Sequence, residues 1–89
     1  MKIVVNKCYG GFSVSKKVVE LLGLESEYDA DRYDPRLIEL IEKYGVFASG
    51  IYANLQVIEI PDEATDHHIN DYDGYEDVIY VVDGKLHWA

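Results

Sequence analysis

A chain of 89 residues makes one domain, and a domain this small buries only about 60–65% of the surface its unfolded form exposes, so assembly into a homo-oligomer is an expected source of extra stability. A hydrophobic content of 48% excludes wholesale disorder, and the single cysteine, Cys8, excludes an internal disulfide. A net charge of −9 disfavours general binding to nucleic acid, whose phosphates it would repel.

The charge is uneven along the chain. Residues 1–23 hold four lysines against Glu20, a balance of +3, whereas residues 24–89 hold four cations against sixteen acids, a balance of −12. No apolar run approaches the roughly 18–20 residues of a membrane span. With one unpaired cysteine and no signal-peptide core, the expected location is the cytoplasm.

In chain order, Lys2–Asn6 is rich in β-branched residues and predicts a buried strand. Gly10-Gly11 breaks the pattern, Ser13 or Ser15 can cap a helix carrying Val18, Val19, Leu21 and Leu22, and Gly23 stops it. Leu24–Tyr33 is an acidic connector. Asp34-Pro35 is a helix start, Leu37, Ile38, Ile41 and Tyr44 share one face, and Gly45 ends the helix. Phe47–Gly50 predicts an irregular turn. Leu55–Ile60 predicts a strand, while Asp66–Tyr72 fits either an edge strand or an irregular arm. Asp73-Gly74 is a turn signal, and Asp77–Val82, Asp83-Gly84 and Lys85–Trp88 predict a hairpin with a type I′ turn, Val82 facing Lys85 and Tyr80 facing His87. The fold class is therefore α+β, a β-α-α-β unit followed by an antiparallel hairpin. The first strand and Leu55–Ile60 could pair in parallel through a right-handed crossover, giving a small mixed sheet with helices on one face.

The chain reads as a binding module rather than an enzyme. The candidate ligand-binding residues are Lys7, Cys8, Tyr9, Gly10, Gly11, Phe12, Lys16, Arg32 and Tyr72. A glycine turn between a strand and a helix N-terminus aims N–H groups and the positive helix end at one point, the physical recipe for an anion site. Lys7, Lys16 or Arg32 would hold a phosphate, and Tyr9 or Tyr72 would stack on a base. The plainer alternative is a tight turn whose glycines let the helix pack. The spacing matches neither the phosphate loop nor the dinucleotide fingerprint.

Cys8 as a nucleophile needs a base that no spacing supplies, and a small free cysteine usually behaves as an apolar residue. Adjacent His67 and His68 would point to opposite faces of a strand and do not share a metal. Acid pairs such as Asp71/Asp73 and Glu76/Asp77 are expected in solvent. No cofactor is implied. The eight tyrosines suit either an interface or an amphipathic rim.

The stretch Lys7-Cys8-Tyr9-Gly10-Gly11-Phe12-Ser13-Val14-Ser15 resembles the opening of a family of small tailed-phage and prophage proteins. Arg32–Leu37, Leu55–Asp62 and Tyr72–Glu76 resemble further pieces of that family in the same order. The ending Asp83–Trp88 departs from the family's basic tail. The resemblance implies a phage context, hence the host cytoplasm, but no activity. By analogy it suggests a protein that sequesters a nucleotide-like anionic signal of host defence. The alternative is an acidic inhibitor whose face, Glu25 to Asp34 and Asp62 to Asp77, mimics DNA toward a basic host protein, with salt-sensitive binding.

Overall fold

The computed structural model describes residues 1–89 as a three-layer α/β/β stack measuring 41 × 26 × 21 Å. Strand β1 (Lys2–Asn6) pairs with β2 (Leu55–Glu59), and β3 (Asp66–Tyr72), β4 (Tyr75–Val82) and β5 (Lys85–Trp88) form a second sheet. Helices α1 (Lys16–Leu22) and α2 (Pro35–Tyr44), with a 3₁₀ turn at Gly45–Ala48, cover the first sheet. No helix is long and apolar enough to cross a membrane.

Alternation along β1 explains the stacking. Val4 points to the helices and packs with Val18, Leu37, Ile41 and Leu55. Its neighbours Ile3 and Val5 point the other way and pack with Ile60 and Val78. Side chains on a strand alternate between faces, so one five-residue strand serves both apolar clusters. That requires apolar residues on consecutive positions, which is why β1 reads as a continuous Ile-Val-Val run.

The predicted helices form as their caps dictate. The Ser15 hydroxyl accepts from the Val18 N–H and Gly23 closes α1 in the left-handed region. Asp34 accepts from the Arg36 N–H, with Pro35 next to it. The Arg36 side chain also donates to Asp34, and this hydrogen bond holds the Asp34 carboxyl below the ordinary carboxylate range. Asp66–Tyr72 is a strand, and both Asp-Gly turns have positive φ at both residues, as type I′ geometry requires. The hairpin register is the expected one, Val82 opposite Lys85 and Tyr80 opposite His87.

The strand pairing differs from the expected crossover. β1 and β2 are antiparallel, from Lys2 opposite Glu59 to Asn6 opposite Leu55. The reason is local: Lys7 N–H donates to the Asn54 carbonyl and Asn54 N–H donates to Asn6 Oδ1, each at 2.8 Å. These bonds fasten the start of β2 to the end of β1, which only an antiparallel pair allows. The strands accordingly form two antiparallel sheets rather than one mixed sheet.

Candidate functional site

The glycine turn is tightly packed. A Cβ on Gly10 would overlap the backbone of Tyr52, and a Cβ on Gly74 would overlap the backbone of Gly11. The turn therefore lies against the 50–53 loop on one side and the β3–β4 turn on the other. It does not open directly into α1, because Ser13, Val14 and the cap Ser15 intervene, Val14 bridging to Ser49.

Its charged neighbours have partners within the molecule. Arg32 donates through two nitrogens to Glu76, at 2.9 and 3.2 Å, and lies 4.4 Å over the Phe12 ring. Glu76, only 4% exposed, also accepts from the Asn6 N–H at 2.8 Å. The expectation that Glu76 lies in solvent is thus corrected, because Glu76 answers the Asn6 N–H and the Arg32 guanidinium, whereas Asp77 stays 40% exposed and pairs with Lys7 at 2.7 Å. The Tyr9 and Tyr75 rings pack in a tilted arrangement, with centroids 5.3 Å apart. Asn6 donates to the carbonyls of Cys8 and Gly74, fastening the first loop to the last turn.

This network also closes an open edge. On the side of β1 away from β2, the Val4 N–H donates to the Arg32 carbonyl and the Asn6 N–H to Glu76. A sheet edge left bare would invite pairing with another chain. The candidate residues Lys7, Cys8, Tyr9, Gly10, Gly11, Phe12 and Arg32 thus come together, but around a structural node. Cys8 is half-buried, and His67 and His87 are engaged with Tyr33 and Tyr80. Tyr72 is exposed at the end of β3, opposite Tyr75.

Lys16 lies elsewhere, on a cleft of about 440 Å³ beside the start of α1. Gly10, Ser13, Ser15, Glu27, Tyr28 and Tyr52 line it as well. A second cleft, of about 280 Å³, lies between α1 and α2 and is lined by Val18, Leu21, Leu40, Tyr44 and Phe47. The two clefts share Ser15 and flank the segment 46–52.

That segment is the feature sequence reasoning passed over. Phe47 is 83% exposed and Ile51 92%, and Val46 and Tyr52 are also largely exposed. Their backbone is nonetheless well held. Ser15 N–H donates to the Ala48 carbonyl at 2.9 Å, Gly50 N–H to the Ser13 carbonyl at 3.0 Å, and Leu55 N–H to the Ser49 hydroxyl at 2.9 Å. Ala48, Ser49 and Ala53 are buried. The result is a fixed apolar ridge between two grooves. An apolar run with no helix or strand period, Val46-Phe47-Ala48-Ser49-Gly50-Ile51-Tyr52, was its signal.

With Tyr28, Tyr44 and Leu21 on the flanks, seven bulky side chains are exposed around the ridge, more than scattered surface apolar residues account for. Rigid presentation and bulky apolar side chains are what an interaction face requires. No protein-family model, curated protein or solved structure matches the chain.

Proposed function

We propose that this chain is a small protein-binding module whose working surface is the Val46–Tyr52 ridge with its two grooves. The exposure of Phe47 and Ile51 on an anchored backbone is the observation that supports this reading. The apolar ridge supplies affinity by desolvation at its centre. The −9 charge supplies long-range attraction, which fits a basic partner and a salt-sensitive association rate. A partner in an infected host cell would fit the resemblance to phage proteins.

The test is capture of a partner by wild type and by Phe47→Ser/Ile51→Ser, followed by affinity measurement with the purified partner. A loss of 100-fold or more, with Tm unchanged within a few degrees, supports the reading. Equal binding by both forms overturns it.

A second reading keeps the small ligand but moves it. The larger cleft brings Lys16 together with the Ser13 and Ser15 hydroxyls and the rings of Tyr28 and Tyr52, a set that suits a nucleotide-like anion. Glu27 in the same lining opposes it. A thermal shift with cyclic or linear nucleotides, abolished by Lys16→Ala, would support this second reading over the first.

A further inference from the structure

The second sheet has an edge that the chain itself leaves open. β5 pairs with β4 on one side only, the sheet order being β3-β4-β5. Val78 and Ala89 exchange both backbone hydrogen bonds, at 3.1 and 2.8 Å. In an antiparallel ladder such pairs alternate with pairs whose N–H and C=O groups point away. Counting back along the register, His87 and Lys85 bond to β4, whereas the N–H and C=O groups of Leu86 and Trp88 face outward. Leu86 and Trp88 are also 60% and 63% exposed.

This edge is complementary to itself. We infer that β5 pairs with β5 of a second copy across a two-fold axis through His87. In that register Leu86 lies opposite the second copy's Trp88, and Trp88 opposite its Leu86. The pairing satisfies all outward groups of both strands with four hydrogen bonds, and each leucine side chain lies beside an indole on the face away from β1. The register shifted by two residues would instead pair Trp88 with Gly84 of the turn, so it aligns one apolar pair in place of two.

Charge selects the same seam. Each copy carries −9, and β5 is the one strand of its sheet without an acidic residue; Asp66 and Asp71 lie on the far edge strand β3. Two copies joined at β5 therefore place no carboxylate of one strand against a carboxylate of the other. The product is a six-stranded sheet, β3-β4-β5 continued by the second copy's β5-β4-β3. One four-residue strand per copy makes a seam smaller than the roughly 800 Å² per partner of a standard interface, so the dimer is weak and concentration-dependent.

Sedimentation across about 1 µM to 1 mM tests this. The expected result is a concentration-dependent monomer–dimer equilibrium. Leu86→Pro removes an N–H that faces away from β4, so it spares the hairpin and weakens the dimer at least tenfold. His87→Cys in a Cys8→Ser background crosslinks across the axis under mild oxidation, faster than Leu86→Cys in the same background, and tests the register even if the proline variant folds poorly. A monomer throughout the range, a dimer untouched by Leu86→Pro in a folded protein, or a faster crosslink at Leu86 than at His87 would each overturn the proposal. The ridge variants leave this equilibrium unchanged, so the result is independent of the proposed partner.

Discussion

Replacing Glu76 by alanine should be strongly destabilising, because Glu76 is buried and answers two donors. The substitution removes the acceptor of the Asn6 N–H, and an orphaned buried amide costs about 1–3 kcal/mol. It also strips Arg32 of its counter-ion, a loss worth about 3–5 kcal/mol in a fully buried pair. The Arg32 side chain is 23% exposed and retains the Val4 carbonyl, so it can turn partly to water and the lower end applies. Taking the lower end of both terms, the combined cost is about 4 kcal/mol, most of the ~5 kcal/mol expected of a small domain. Glu76→Gln keeps one acceptor but sets an amide N–H₂ against Arg32, for about 2 kcal/mol. Urea denaturation reads both values from the shift in midpoint at constant slope. A double-mutant cycle with Arg32→Met should give a coupling of about 1–3 kcal/mol. A Glu76→Ala protein within 0.5 kcal/mol of wild type, or zero coupling, would refute the reasoning.

Three further outcomes follow from the same geometry. Asp34→Ala should cost about 1 kcal/mol, or roughly 4–8 °C in Tm, through loss of the α2 cap. Because Arg36 lowers the folded pKa of Asp34, the difference between the two proteins should be full above about pH 4, the unfolded value, and shrink as pH falls below it; melting curves from pH 7 to pH 2.5 check this. Gly74→Ala should cost more than about 2 kcal/mol, since the alanine must hold positive φ and its Cβ meets Gly11, and a Tm within 2 °C of wild type would contradict the packing described. Lys7→Ala should change stability by under about 1 kcal/mol, because Asp77 opposite it is 40% exposed and well solvated, as denaturation can verify.

The elements were largely readable from the sequence, because each is set by local chemistry. Caps at Ser15 and Asp34, stops at Gly23 and Gly45, and two Asp-Gly turns mark their own positions. The pairing of β1 with β2 was not readable, since it depends on hydrogen bonds between Lys7, Asn6 and Asn54 that no periodicity reveals. The site divides the same way. Cys8-Tyr9-Gly10-Gly11-Phe12 and Arg32 stood out for their residue types and do meet in space, whereas Glu76, which joins them, was expected in solvent. Isolated along the chain, a glycine and an arginine look equally ready for a phosphate or for a carboxylate, and only the fold brings Glu76 to Arg32. The ridge lay in a stretch without period, where burial cannot be inferred from spacing.

β1 carries a consequence for how the molecule comes apart. Val4 belongs to one apolar cluster and Ile3 and Val5 to the other, with a single backbone between them. Neither cluster can lose its share of this strand while the other keeps it. Sub-global opening confined to the helical layer or to the outer sheet would have to leave β1 in place, half stripped. Amide hydrogen exchange should therefore show the protected amides of α2, β1 and β4 released together in one cooperative event, with fraying limited to the hairpin tip at Asp83-Gly84.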